Sequence, residues 1–365
     1  MGSRVTRSSR TTGSTSSTRT TLPLPGSGDT AARFLALWEG CRADVSEGRL
    51  AEADHDADAI LAEIGDGRRV GDGEFWGVWA AEPPHPVLEA RRDPAASRGA
   101  ASDTAASDGA AADAATSDTA DSESGGWLLD GVKPWCSGVG RCTHALVTAR
   151  VDGTPRLFAV DLRHPGVGGS TDKWVSAGMA ATATGEVSFD AVPAVTVGGP
   201  RDYLDRPGFW HGGVGVAACW LGGVAGLYDV LARTASRHGK PHALAHLGAV
   251  DAALSAARWM IIGAAEEIDA NPGDAEAARI RALRVRTMAD RLCADVMEHV
   301  GRAIGAGPLA HDAEVAQRFA DVAVYTRQCH AERDEQWLGE LRLAADEAAN
   351  GADDRASGNG EGAAR

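Results

Sequence analysis

Gly131–Gly140 reads GVKPWCSGVG, a Lys-Pro-Trp-Cys-Ser cluster framed by glycines. It follows a tract, 92–126, that holds little but Ala, Ser, Asp and Thr. The cluster admits two readings. In one it is a turn between strands, with Trp135 filling a core and Ser137 capping the turn. In the other it is a strand end laid against a flat aromatic cofactor. A tryptophan face suits stacking on a planar ring, and a hydroxyl can both donate to and accept from a ring nitrogen.

The flanking segments supply the frame. Downstream, ALVTARV (145–151) and RLFAVDL (156–162) surround DGTP, and GEVSFDAVP (185–193) alternates Val187 and Phe189 with Ser188 and Asp190. An Asp-Gly pair between apolar runs predicts a hairpin, and period-two alternation predicts a half-buried strand. Upstream, Thr30–Ile64 predicts two helices. The first starts at an Asp29/Thr30 cap with Phe34, Leu37, Trp38 and Cys41 on one face. The second carries Ala57, Ile60, Leu61 and Ile64 and stops at Gly65.

From Gly212 to about Leu343 helical spacing takes over. It predicts helices at Val214–His238 and Ala245–Asp269, a third carrying Ile280 to Val300, and a fourth carrying Val315, Phe319, Val322 and Cys329. Four such helices with short connections predict an antiparallel bundle. The fold class is therefore α+β: a short N-terminal helical segment, a central antiparallel β domain and a C-terminal four-helix bundle. The divisions are a tail at 1–27, helices at 28–66, the β domain at 67–200, the bundle at 201–345 and a tail at 346–365. The two tails and the insertion 92–126 read as disordered, having too little apolar surface to offset the entropy of ordering. Loop closure costs grow only with the logarithm of length, so the insertion belongs in a surface loop of the β domain.

Composition narrows the function. The chain has 365 residues, 44% hydrophobic, and a net charge of −15. The two tails and the insertion carry +4, −3 and −5, which leaves −11 on the rest. That acidity argues against a nucleic-acid binder, which needs clustered cations. No uninterrupted apolar run approaches the roughly 18 residues of a membrane span, and the N-terminus has no apolar signal region. Six cysteines show no zinc spacing, so no metal site is expected, and reduced thiols point to a cytoplasmic protein.

Five segments, in order, resemble the acyl-CoA dehydrogenase superfamily of FAD flavoproteins over roughly residues 30–340. VWAAEPP (Val78–Pro84) is similar to the family's TEP segment, and GVKPWCSG to its G-x-K-x-W-I-[ST] segment. SAGMAATATGEVSFDAVPA (Ser176–Ala194) is similar to the L-G-x-R segment with its trailing F-x-x-V-x-V. RHGKP (Arg237–Pro241) resembles the R-x-x-F-G corner, and IGAGPL (Ile304–Leu309) the G-G-x-G turn. The resemblance implies an FAD site in which Trp135 packs near the flavin and the Ser137 hydroxyl bonds its N5. It further implies backbone contacts from Ala80 and Ala81, with Glu82 as a structural partner, and a pyrophosphate contact from Arg237 of a neighbouring subunit. A close backbone approach at Gly305 and Gly307 completes the implied set.

The resemblance departs at two places. Ala81 stands where the family has Thr, and HPVLEARRD replaces its Gly-Ser-Asp. The family's catalytic Glu is absent: VYTRQCHAERD (Val324–Asp334) puts Thr326 there, and the alternative position falls in GVAACWLGG, which has no acid. His330, read as one turn beyond Thr326 on the same helical face, and Glu332 are the candidate catalytic residues. The family pattern implies an FAD-dependent oxidoreductase, with CH–CH desaturation by hydride transfer to flavin N5. It implies a small-molecule substrate such as an acyl-CoA thioester, an unspecified electron partner, and a homodimer or homotetramer. The alternatives are a flavin-dependent monooxygenase on the same fold, or a degenerate non-catalytic interaction protein.

Overall fold

The computed structural model describes residues 20–94 and 126–344. The expected disordered segments fall mostly outside these residues. The exceptions are the ends of the insertion, 92–94 and 126, where Arg92 closes a strand, and 20–27, assigned above to a tail. Leu22 packs on the helical core, the Pro23 carbonyl accepts from Arg33, and the Gly26 amide donates to Thr30 Oγ1 at 2.7 Å. Prolines at 23 and 25 reduce the entropy lost on ordering, and the leucines beside them give the segment apolar surface.

Helices α1 (Thr30–Ala43) and α2 (Val45–Ile64) form where the apolar spacing places them. Phe34, Leu37, Trp38 and Cys41 are all buried. Asp29, expected as the cap, makes no cap hydrogen bond. The Asp269 carboxylate does that work from the bundle, accepting from the amides of Gly28 and Thr30 and from the Thr30 hydroxyl. A carboxylate is favoured there by the exposed amides of the helix start.

The β domain has seven strands: β1 (Trp76–Trp79), β2 (Leu88–Arg92), β3 (Trp127–Cys136), β4 (His144–Val151), β5 (Thr154–Asp161), β6 (Val167–Ser170) and β7 (Gly185–Thr196). The ladder runs β4-β2-β3-β7-β5 and closes through β5 back onto β4, with β1 beside β4 and β6 beside β7. The sheet is mixed rather than purely antiparallel, because β1 and β2 both run parallel to β4. Three prolines, Pro83, Pro84 and Pro86, lie between β1 and β2 and lack the amide donors a tight ladder needs. The β4–β5 hairpin turns at Asp152 and Gly153, both with positive φ, as the Asp-Gly pair requires. Arg92 pairs with Trp127, and the Asp93 amide donates to the Gly126 carbonyl, so the chain leaves and re-enters at one end of the β2–β3 hairpin. Trp79, Leu129, Cys136, Val147, Phe158 and Val187 fill the interior. On the outer face Leu146, Leu157 and Val197 pack against Ile60 and Leu61 of α2.

The helical region contains α3 (Asp202–Asp205), α4 (Pro207–His238), α5 (Pro241–Ala270), α6 (Ala275–Ile304), α7 (Ala306–His311) and α8 (Ala313–Tyr325). A last helix, α9, runs from 332 to at least 344. Helix α4 is the core, burying Val214, Ala218, Trp220, Leu221 and Leu231. Gly222 lets α1 approach, since an added Cβ would lie 2.1 Å from the Trp38 carbonyl oxygen. The expected fourth helix is shorter than its spacing suggests. After Tyr325 come a tight turn, Thr326–Gln328, an extended Cys329, and Ala331 with φ 44°.

Helices α4 and α5 are long and apolar enough to cross a membrane. They escape a search for uninterrupted apolar runs because glycines and single polar residues punctuate them. The apolar window of α4 is 83% buried inside the molecule, while that of α5 is only 22% buried.

Candidate functional site

The end of β3 is where the β domain meets the bundle. The β3–β7 register shifts between Lys133 and Cys136, and Trp135 there has φ 61°. A left-handed tryptophan is strained, so neighbouring contacts must hold it. Lys133 supplies one anchor. Its ammonium is buried and spends three donors on Glu82 Oε1 (2.6 Å), Thr148 Oγ1 (2.7 Å) and the Thr148 carbonyl (2.7 Å). Burial pulls the Lys133 pKa down, opposed by Glu82. Glu82 thereby ties the segment after β1 to β3 and β4.

Trp135 itself points outward and is 61% exposed, with its ring edge-on to Trp174 at 6.0 Å between centroids. Ser137 follows. Its Oγ lies 3.0 Å from Thr184 Oγ1, which lies 2.7 Å from Thr182 Oγ1, and Thr182 donates to the Met179 carbonyl at 2.6 Å. With Thr182 donating inward, Thr184 donates to Thr182 and Ser137 to Thr184. Ser137 then faces outward as an acceptor. Rotation of Thr184 toward Ser137 frees the serine proton to donate outward instead. The Trp79 indole N–H donates to the Ser137 carbonyl at 3.0 Å, which places Ala80 and Ala81 directly after an anchor of this turn. Ala80 is half-buried and Ala81 exposed.

The loop carrying Trp174, Thr182 and Thr184 is fastened to α8. Asp321 Oδ1 accepts from the Met179 amide at 2.5 Å, and Gln317 donates to both Asp321 and the Ala177 carbonyl. Burial raises the Asp321 pKa above the ordinary carboxylate value, partly offset by the Met179 amide. Gly178 sits against the Ala320 carbonyl, where an added Cβ would come within 2.2 Å.

Beyond α8 the wall belongs to a cavity of about 850 Å³ between the start of α4, the first half of α6, and the 330–337 segment. Phe209, Trp210 and Trp337 form an aromatic ladder with centroid separations of 5.2 and 5.5 Å. Arg286 reaches inward from α6, donating to the carbonyls of Gly213 (3.4 Å) and Gln328 (2.9 Å), with its guanidinium 4.7 Å over the Trp220 ring. Behind it, Trp220 meets Tyr325 edge-on at 6.3 Å. The cavity therefore reaches His330 just past the 325–329 segment, while Asp321 and Gln317 of α8 hold the loop that carries the hydroxyl row.

Residues 100–192 match the acyl-CoA dehydrogenase middle-domain family. Solved structures share the architecture across nearly the whole chain. KijD3 in complex with FMN and a dTDP-linked amino-keto sugar is 20% identical, covers 86% of this chain and 79% of its own, and gives a TM-score of 0.68. Dibenzothiophene monooxygenase TdsC from Paenibacillus sp. A11-2 is 17% identical over 87% and 84%, also at 0.68. A nitrososynthase from Micromonospora carbonacea var. africana is 20% identical over 85% and 81%, at 0.63. No curated protein matches by sequence. Residues 100–192 thus match the acyl-CoA dehydrogenase middle domain, and the chain shares its fold with these solved structures.

Within that fold, the residues singled out by sequence fall into three groups. Ala80, Ala81, Trp135 and Ser137 come together at the β3 end. Arg237, Gly305 and Gly307 show no contact with them among the described residues. Gly223 of α4 faces Val322 of α8, next to Asp321, and Arg237 lies fourteen residues further along, about 21 Å of axial rise. Arg237 is exposed near the end of α4, and Gly305 adopts φ 70° at the break between α6 and α7. Gly307 has open space where a Cβ would stand.

The third group is the catalytic pair. Thr326 is buried and donates to the Val322 carbonyl, so the position of the family's Glu holds a hydroxyl tied to its own helix. His330 is not on the Thr326 helical face, because the helix ends before it. It stands on the turn into α9, lines the cavity, and places Nδ1 3.6 Å from Asp334 Oδ1. Glu332 is exposed and does not line the cavity. Sequence reasoning did not single out Trp174, Asp321 and the cavity arginines, which bear no short-range motif, nor Thr182 and Thr184, which lie inside the Ser176–Ala194 segment but far in sequence from Ser137.

Proposed function

We propose that this chain is a flavin-dependent oxidoreductase acting on a small organic molecule, with the flavin held at Trp135 and Ser137 and the substrate in the adjoining cavity. The observation that carries this reading is the exposed, left-handed Trp135 at the head of the Ser137–Thr184–Thr182 hydroxyl row. An aromatic face open to solvent beside a reversible donor–acceptor fits a planar ring system with a nitrogen that gains and loses a proton. When bound, a flavin supplies two-electron redox chemistry. Trp135, Trp174 and Ser137 would hold it, Ser137 as donor or acceptor according to Thr184, and Ala80 and Ala81 would offer backbone groups. FAD, the cofactor that the Arg237 resemblance implies, needs a second copy to bring that arginine within reach.

Monooxygenation is favoured over α,β-desaturation by one observation. Removing a proton beside a thioester calls for a carboxylate, and Thr326 offers none. His330 supplies a different group. Its imidazole lines the cavity with Nδ1 3.6 Å from Asp334 Oδ1, and we assign it as the group that exchanges protons with the substrate. KijD3 and TdsC, which share the fold, have been solved with FMN. Free thiols at all six cysteines suit a reducing, cytoplasmic setting. The test is to reconstitute with FAD or FMN and add octanoyl-CoA without oxygen. The flavin band stays unbleached on this reading, and bleaching on the timescale of turnover would establish desaturation instead.

The assembly we propose is a homodimer formed through α5. Its outward face exposes Leu244 and Trp259 along a helix about 45 Å long, an apolar surface that a second copy would cover.

A further inference from the structure

Taking the cavity as the substrate site, as proposed above, we infer that it selects organic anions: planar molecules whose carboxylate or phosphate group docks on Arg286. The argument starts from the charges lining it. Arg201 is paired with Asp205, and Arg206 with Glu63. Three other arginines, Arg279, Arg286 and Arg333, line the α6 and α9 side without a carboxylate within ion-pair distance among the described residues. Of the two acids flanking Arg333, Glu332 does not line the cavity, and Asp334 accepts from the His330 amide with His330 Nδ1 3.6 Å from its other oxygen.

Arg286 is the innermost of the three. Its guanidinium has five donors, and the Gly213 and Gln328 carbonyls take two, leaving three for a ligand. Removal from water lowers its pKa, and Asp334 and Glu52, near enough to act on it but not in ion-pair contact, only partly oppose this. The two carbonyls fix the plane of the fork, and a planar fork of fixed orientation matches carboxylate and phosphate oxygens better than a lone ammonium does. Arg279 adds a second cation near the aromatic ladder, 5.3 Å over Trp337, and its Nε is buried without a hydrogen-bond partner. Phe209, Trp210 and Trp337 give the organic body an apolar, aromatic wall. A volume of about 850 Å³ lies in the range of small-molecule sites.

The probes are matched pairs of similar shape and different charge: benzoate against benzamide, and phenyl phosphate against phenol. Calorimetric titration uses the full chain, both flavin-free and after reconstitution, so a failure of flavin binding is read separately from a failure of anion binding. The expected result is that each anion binds at least roughly tenfold tighter than its neutral partner in wild type. R286Q should lose about that factor for the anions alone, and R286K should keep part of it. Circular dichroism shows whether R286Q is folded, and R279Q gives a second variant in which a smaller, anion-only loss is expected. Equal binding of charged and neutral probes by wild type, or no binding of either anion, overturns the proposal. An anion preference that survives in folded R286Q overturns the assignment to Arg286.

Discussion

Ser137 and Thr184 decide what the β3 end can offer a redox ring. If Ser137 bonds the flavin, S137A removes the outer member of the hydroxyl row while leaving Thr182 on the Met179 carbonyl. The expected outcome is a shifted flavin absorbance spectrum or a severalfold weaker affinity; no change in either excludes that role. His211 gives a residue-scale prediction about pH. It is buried, and desolvation with nearby Arg281 and Arg206 lowers its pKa to about 4. The unfolded chain therefore binds the proton more tightly, so stability rises with pH between about 4 and 6.5 and falls as acid is added. H211Q should flatten that stretch of a denaturation profile; an unaltered slope would show that other groups set it. Trp135 and Ser137 were legible because both lie in one ten-residue motif. Thr182, Thr184 and Asp321 were not, because only folding brings them to that motif.

At the scale of elements, apolar spacing located the helices and strands but not where they stop. Cys329 continues the apolar face of α8 in sequence, yet the chain turns at Thr326 and lies extended by Cys329. No glycine or proline marks that end, so spacing alone carried the helix too far and put His330 on the wrong face. The parallel pairing of β1 and β2 with β4 was equally hidden, since ladder direction depends on where a proline-rich connection leads. Two contacts between elements can be tested. G222A places a Cβ 2.1 Å from the Trp38 carbonyl and should cost roughly 1–3 kcal/mol, measured as a lower midpoint in chemical denaturation. Wild-type stability in G222A would mean that α1 and α4 are free to separate. D321N keeps an oxygen for the Met179 amide but removes a carboxylate whose pKa is raised. A raised pKa makes the folded state the tighter proton binder, so its contribution to stability declines as pH rises above about 4. D321N should abolish that decline, and a decline that persists would assign it elsewhere.

The whole molecule joins a closed β ladder to a helical bundle, and the proposed functional surfaces are the β3 end, the cavity and the outer face of α5. Arg237 stands near the far end of α4, which makes the proposed dimer part of the functional account. Trp259 is 73% exposed on α5, so W259E should convert the dimer to monomer in light scattering without lowering helicity. A dimer that persists would place the interface elsewhere, and wild type found as a monomer, or captured by lipid vesicles, would remove the reason for it. The most direct test of the central claim is the visible absorbance spectrum of the protein after incubation with FAD or FMN and desalting. A retained flavin spectrum near one equivalent per chain is the predicted result, and a colourless protein would contradict the account.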